Sequence, residues 1–270
     1  LRGEAIAALG ITEPGGGSDV AAMRTTARRD GRDYVIDGEK TFITSGVRAD
    51  WITLAVRTQA DASAPAPKGA AGISMIVVPG DAAGLSRSPL QKMGWHCSDT
   101  GHLRLDGVRV PARYLLGEEG AGFRIIMSNF NSERFGLAAS ALGFAEACYD
   151  EALAWARQRK TFGAALVEHQ VIRHKLAEMA TQVNVAREYT YRCAARMQAG
   201  ESAIAEVSMA KNFATSVSTM VTDEAVQIFG GMGYMRESLV ERLYRDNRIL
   251  SIGGGTHEIM NEIISKQLGL

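Results

Sequence analysis

Hydrophobic positions along this 270-residue chain follow two different periods. Through the first 111 residues, apolar and polar residues alternate in short runs: RTTARRD, DYVID, EKTFITSG, WITLAVR, GISMIVV and HLRLDGVRV, bounded by Gly, Asp or Pro. That is the pattern of half-buried β-strands. Asp30-Gly31 and Asp37-Gly38 read as tight turns joining the first three runs, and ADASAPAPKGAAG (60–72) reads as an exposed loop.

Beyond residue 111 the period changes to three and four. Met127, Phe130, Leu137, Ala141, Ala145, Cys148, Ala152 and Ala156 form one stripe, and Ile172, Leu176, Met179, Val183, Ala186, Cys193 and Met197 form a second, which breaks at Ala199-Gly200. A third runs through Ala210, Phe213, Val217, Met220 and Ile228 to GGMGY, and a short fourth starts near Thr256 with Ile259, Ile263 and Ile264. All six prolines fall within the first 111 residues, which marks a boundary between two domains. The expected fold class is therefore α+β. An antiparallel β-barrel or sandwich (1–116) precedes a four-helix up-down bundle (117–270).

Composition narrows the function more than the fold. With 46% hydrophobic and 22% charged residues the chain has the makeup of a globular protein, and 30 basic residues balance 30 acidic ones. No global field favours nucleic acid or an anionic membrane. Cys97, Cys148 and Cys193 lack the spacing of a zinc site or a disulfide framework, so no metal is expected and a reducing compartment fits. No apolar run approaches a membrane span, the opening LRGEAIAALGI is too short in apolar residues for a secretory signal, and residue 1 is not Met, so it reads as a cut point.

Several stretches could carry chemistry. Glu133 and Arg134 lie three and four positions after Phe130, so both are expected to project toward the apolar face of the first helix. Charges there are either paired at the bundle edge or serve a dry pocket, in which a carboxylate would be prepared as a base. TEPGGGSD (12–19) is a glycine-rich loop able to offer N–H groups to phosphate, but neither it nor GGMG (230–233) has the strand, GxGxxG and helix order of a dinucleotide fold. RQRKTFG (157–163) places Arg157, Arg159 and Lys160 ahead of a helix stop at Gly163, as the helix dipole alone would favour, and EHQ (168–170) reads as a helix start. In SIGGGTHEIMNE (251–262), three glycines run into a terminal helix, either as a plain hinge or as a loop pressed against a ligand.

Taken in order, ITEPGGGSD, FITSG, KMGWHCSDTG with VRVP, GEEGAGF, RKTFG, EHQ, QIFGGMGY, ERLYRDNR and GGGTHE resemble the acyl-CoA dehydrogenase family of FAD flavoproteins, nearest to its long-chain and isovaleryl-CoA subgroup. The resemblance covers that family's middle β domain and C-terminal helical domain, and not its N-terminal helical domain. It implies α,β-dehydrogenation of a saturated acyl-CoA to a trans-2-enoyl-CoA, with electrons passed to an electron-transfer flavoprotein. It also implies a homodimer or homotetramer in the cytoplasm, or in the mitochondrial matrix of a eukaryote. A flavin monooxygenase or oxidase on the same fold, and a non-catalytic acyl-CoA-binding protein, are the alternatives.

By matching position, the resemblance assigns FAD contacts to Ile11, Thr12, Gly17, Ser18, Phe42, Ile43 and Thr44, with Phe42 standing where many members have Trp. Arg159, Thr161, Phe162, His169, Gln170, Gln227, Gly230 and Gly231 match residues that reach the FAD of a neighbouring subunit, and Thr256 and Glu258 match cofactor contacts at the terminal helix start. Ser18, Asn131, Arg134 and Gly253 match positions at the acyl-CoA. Medium- and short-chain relatives carry the catalytic glutamate where this chain has Gly254, whose N–H remains to hold the thioester carbonyl. In the long-chain and isovaleryl subgroup the base precedes the substrate-binding Arg, which makes it Glu133 here.

Overall fold

The computed structural model describes residues 2–59 and 69–270. Residues 60–68, which include Pro65 and Pro67 and most of the predicted loop, lie outside the described residues. The chain divides into two compact units, Leu1–Lys92 with His96–Asn129, and Met93–Trp95 with Phe130–Leu270.

The first unit is built on an eight-stranded sheet. Its strands are β1 (Ala7–Gly10), β2 (Thr26–Asp30), β3 (Asp33–Thr44), β4 (Trp51–Gln59), β5 (Ile73–Pro79), β6 (Leu85–Pro89), β7 (Thr100–Pro111) and β8 (Leu115–Leu116). They are ordered β6-β7-β3-β2-β4-β5-β8, with β1 beside β4. The sheet is mixed and departs from the antiparallel expectation: β1 and β2 both pair with β4 in parallel. Alternation does its work in β3 and β7, where Tyr34, Ile36, Leu103, Leu105, Val108 and Val110 turn inward to meet Ile52, Leu54, Val56, Ile76 and Val78. Each fully buried Ile, Val or Leu contributes roughly 1.5–3 kcal/mol.

Asp37-Gly38 is not a turn. The strand runs on through it, and the register against β7 shifts between Ile36 and Gly38 as at a β-bulge. Gly38 has φ 145° and packs so tightly on Thr25 that a Cβ would lie 2.7 Å from its Cα, so only glycine fits. The hairpin turn at Gly31 is present, joining Asp30 to Asp33.

One buried ion pair fixes the loop that precedes β2. Lys40 is fully buried and its Nζ donates to Glu13 Oε1 at 2.8 Å and to the Ile11 carbonyl at 3.0 Å. Glu13 also accepts from the backbone N–H groups of Arg24 (2.6 Å) and Thr25 (2.9 Å). Burial alone would raise the Glu13 pKa. The Lys40 charge and the hydrogen bonds from Lys40, Thr25 and Arg24 outweigh it and hold the carboxyl below its ordinary value of 4.5.

In the second unit three long helices, α1 (Gly122–Gln158, which begins in the first unit), α2 (Gln170–Gln198) and α3 (Ile204–Phe229), share a core with a shorter α4 (Leu239–Asn247). The terminal helix α5 spans His257–Leu268. The four predicted helices are present, and α4 is an addition that the stripes did not signal. Buried residues lie almost all round α3, whereas Phe213, placed on its buried stripe by periodicity, is 37% exposed. Gly163 does not end α1. After Gln158 the chain makes a small hairpin, β9 (Lys160–Thr161) with β10 (Ala164–Ala165). Phe162 and Gly163 form its two-residue turn at φ 51° and 82°, both left-handed, as a type I′ turn requires.

The Lys40–Glu13 pair generates a test. Lys40→Met leaves a buried carboxylate short of its cation and should cost about 3–5 kcal/mol in urea denaturation at pH 7. Because the Glu13 pKa is lowered on folding, its stabilisation is present above 4.5 and lost as pH falls through the folded value. Wild type should therefore lose stability on acidification below pH 4.5, and Glu13→Gln should lose measurably less.

Candidate active site

The glycine triplet opens as a turn made for close approach. Gly253 N–H donates to the Ile249 carbonyl at 2.8 Å, after which Gly254 (φ 65°) and Gly255 (φ 106°) adopt left-handed conformations. Thr256 then caps α5 by accepting from Ile259 N–H at 3.4 Å. The carbonyls of this turn are taken from two helices. Arg134 Nε of α1 donates to Gly254 O at 3.1 Å, Lys211 Nζ of α3 to Gly255 O at 2.6 Å, and Asn212 Nδ2 to His257 O at 3.1 Å. Among the described residues no backbone hydrogen bond is donated by Gly254 or Gly255.

The side chain missing at Gly254 has its space filled. A Cβ there would stand 2.5 Å from Leu137 Cδ1, with Lys211 Cε at 3.8 Å. Glycine is thus required by backbone conformation and by the neighbour together.

The expectation that Glu133 and Arg134 both face the apolar interior needs correction. Consecutive residues point about 100° apart on a helix, and only Arg134 is buried, with its guanidinium 5.4 Å over the Phe130 ring. Glu133 stands exposed in the single chain. Even so, the protein around its carboxyl removes enough water to raise its pKa, and the charges of Arg134 and Lys211 only partly oppose that rise. Lys211 is fully buried, and burial with the nearby Arg134 charge pulls its pKa down to about 8, against the pull of Glu133. Asn131 donates to the Ser202 carbonyl at 3.0 Å, while its shielded Oδ1 has no partner among the described residues. Gly253 lies one residue from this cluster.

The predicted cofactor residues of the β unit form one stretch. Thr12 O accepts from Thr41 N–H at 2.9 Å, Ile11 O from Lys40, and a Cβ on Gly17 would meet Thr12 Cγ2 at 3.7 Å. Ser18 is exposed at the end of this loop. Between Lys40 and Ile43 the register against β7 shifts, and Phe42 sits in the gap at φ 59° with its ring 70% exposed. A bulky residue in that region stores roughly 1–3 kcal/mol of strain, here used to turn a flat apolar face outward. Ile43 turns inward and Thr44 outward.

A second group gathers at one end of the helices. Thr161 Oγ1 lies 3.1 Å from His169 Nε2, and Phe162, wholly exposed at the hairpin tip, meets the His169 ring edge-on at 6.2 Å. Arg159 is tied into the hairpin through its backbone, and Gln170 begins α2. Trp155 stacks on Phe229 at 4.7 Å, and Lys175 pairs with Glu224, which brings the ends of α1 and α3 and the start of α2 together. Gln227, Gly230 and Gly231 sit at that end of α3, and Gly230 (φ 61°) terminates the helix. Lys211 lies sixteen residues before Gln227 on α3, about 24 Å along the axis, so the glycine turn and the hairpin group are separate places. Near the former, Thr256 and Glu258 help line a groove of about 660 Å³ with Ser216, Thr219, Arg248 and His257.

Sequence reasoning missed Lys211, Lys40 and Glu13. The signal for Lys211 was available: it follows Val207 by four and precedes Ala214 by three, a charge inside an apolar stripe. Lys40 and Glu13 carried none, because strand alternation does not say which polar residue finds a partner 27 positions away.

Two family models together cover most of the chain. The model of the acyl-CoA dehydrogenase middle domain matches residues 8–108, and that of the acyl-CoA dehydrogenase C-terminal domain matches residues 120–269. Cyclohexane-1-carbonyl-CoA dehydrogenase of Geobacter metallireducens is 42% identical over 264 residues, 97% of this chain and 68% of that protein. The mitochondrial long-chain specific acyl-CoA dehydrogenase of Rattus norvegicus is 38% identical over 98% of this chain and 61% of its own length. A solved structure described as a probable acyl CoA dehydrogenase, from Mycobacterium abscessus, superposes with a TM-score of 0.94 at 55% identity, covering 98% of this chain and 69% of that one. The chain belongs to the acyl-CoA dehydrogenase family of oxidoreductases.

Proposed function

We propose that the protein dehydrogenates a saturated acyl-CoA to its trans-2-enoyl-CoA, with Glu133 as the base that removes the α-proton. The observation that carries this reading is the bond from Arg134 to the Gly254 carbonyl, which sets the residue after Glu133 against a turn that has no side chain of its own. Glu133 is felt by both cations that bond this turn, and its raised pKa suits a proton acceptor. The unpaired N–H of Gly254 is the group offered to the thioester carbonyl, where it would stabilise the enolate that forms as the proton leaves. Asn131, Arg134, Gly253 and Ser18 are assigned to binding the acyl-CoA. Among the described residues Asn131 Oδ1 accepts no hydrogen bond, which leaves it available to a donor on the acyl-CoA.

The residues present fit FAD. The outward face of Phe42, the exposed Thr44 beside it and the pinned Ile11–Ser18 loop offer a flat apolar wall next to polar groups. Ile11, Thr12, Gly17, Ser18, Phe42, Ile43 and Thr44 are assigned to holding it, with Thr256 and Glu258 at the start of α5. FAD, when bound, supplies the acceptor for the β-hydride. Arg159, Thr161, Phe162, His169, Gln170, Gln227, Gly230 and Gly231 are assigned to the FAD of a second subunit, because a ring wholly exposed at a hairpin tip is poised to be covered by something else. An electron-transfer flavoprotein is the proposed electron acceptor, and a cytoplasmic or mitochondrial-matrix setting follows from that partnership. No helix among the described residues is long and apolar enough to cross a membrane.

Two outcomes test this. Glu133→Gln should bind flavin and acyl-CoA normally yet bleach the flavin about 10²–10⁴-fold more slowly. Since the Glu133 pKa is raised on folding, ionising it costs stability as pH rises through the folded value, so the same variant should melt no lower than wild type at pH 8. Turnover retained in that variant would remove Glu133 from the mechanism. Phe162 is wholly exposed and meets the His169 ring edge-on, so Phe162→Ser should leave the melting of flavin-free protein unchanged. It should weaken flavin retention by at least about tenfold, read by equilibrium dialysis, as expected for truncating an aromatic anchor.

A further inference from the structure

Among the described residues no carboxylate stands within ion-pair distance of Lys211, yet its ammonium is fully buried and directed at the Gly255 backbone oxygen. A buried lysine in the middle of an apolar helix face weakens the fold unless something else is gained, since replacing such a group with a packed apolar side chain is often neutral or stabilising. The gain has to be sought in what the lysine holds.

The groups facing it come from three helices. From α1 it feels Glu133, which favours its charged form, and Arg134, which opposes it. From α5 it faces His257, whose imidazole lies 2.9 Å from Thr215 Oγ1 and whose pKa is lowered by burial and by the Lys211 charge. Its own helix contributes the Asn212 bond to the His257 carbonyl. Adjacent carbonyls, those of Gly254 and Gly255, thus point at adjacent cations. A trans peptide is planar, with its N–H opposed to its C=O, so fixing these two oxygens fixes the peptide planes on either side of Gly255. The plane that carries the Gly254 N–H is the next one back, and the two left-handed glycines would otherwise leave it free to turn.

We propose that Lys211 is a positioning residue for the dehydrogenation. Through the Gly255 carbonyl it locks the glycine turn so that the Gly254 N–H is aimed at the thioester, and its positive charge beside that turn stabilises the enolate as it forms. This rests on the assignment of Glu133 as base. Because burial brings the Lys211 pKa to about 8, the charge it supplies fades as pH rises through that value. The rate of acyl-CoA oxidation should carry an alkaline limb near pH 8 that belongs to Lys211.

The test uses the flavin-loaded protein with Lys211→Met, which keeps the chain length and removes the charge, and Lys211→Arg, which restores a cation. Lys211→Met leaves the Gly255 carbonyl without its donor and should still bind flavin, but its kcat should fall at least about tenfold, with KM changed less than about threefold and the alkaline limb gone. Lys211→Arg should recover part of the loss, and its profile should stay flat past pH 9.

A second readout needs no turnover. Acetoacetyl-CoA ionises to an absorbing enolate, and its apparent pKa when bound should rise by at least about one unit in Lys211→Met, a tenfold loss of enolate stabilisation. Enolate formation and a pH profile identical to wild type in Lys211→Met would overturn the proposal. If Glu133→Gln keeps full turnover, the base assignment fails instead, whatever Lys211→Met does. Should Lys211→Met fail to fold, unaltered kinetics and enolate pKa in Lys211→Gln would equally overturn it.

Discussion

The helical unit depends on a pair of hydrogen bonds from cations to successive carbonyls. Arg134 and Lys211 repel each other, and the low pKa of Lys211 records that repulsion together with its burial. Such an arrangement persists because each cation has a carbonyl oxygen within 3.1 Å and because Glu133 is near enough to be felt by both. In a water-poor interior such ion–dipole bonds are stronger than in water and expensive to leave unmade. The requirement propagates outward: both glycines must be left-handed, Leu137 must fill the space beside Gly254, and α5 must start at Thr256.

The β unit solves a related problem with the same kind of group. A loop of three glycines between Pro14 and Ser18 has no hydrophobic anchor of its own, and its approach to the sheet is set by Lys40 reaching the Ile11 carbonyl and the Glu13 carboxylate at once. In both units a buried lysine ties down the backbone of a glycine-rich segment. Among the described residues the lysine on α3 has no carboxylate bonded to it as Lys40 has, and burial beside Arg134 brings its pKa to about 8, which makes it the better candidate for influencing a reaction.

Strand and helix periods were legible because each depends on residues within one element. The two inward stripes of β3 and β7 and the buried faces of α1 and α2 follow directly from spacing. Asp37-Gly38 was misread because the local signature of a turn is also that of a bulge, and the deciding contact is with Thr25, thirteen residues away from Gly38. Gly163 was misread for a similar reason: Phe162 adopts a left-handed conformation usually left to Asn or Gly, so no residue type announced the hairpin. Glu133 and Arg134 could be located by motif order, but which of two adjacent charges is buried depends on whether a carbonyl waits inside, and only Arg134 finds one.

The relation between Glu133 and Gly254 is better understood as a property of a helix face than of two residues. Arg134 and Leu137 are one turn apart on α1, so the same face that supplies the charge bonded to Gly254 O also supplies the methyl group that occupies its Cβ position. A side chain at 254 and a leucine at 137 exclude each other unless one shifts, and a residue other than glycine would also meet the cost of φ 65°. Under the proposed assignment, moving the base to position 254 is therefore not a single substitution. It requires that α1 give up Leu137 as well as Glu133, and that the turn find another conformation in which both carbonyls still reach their cations.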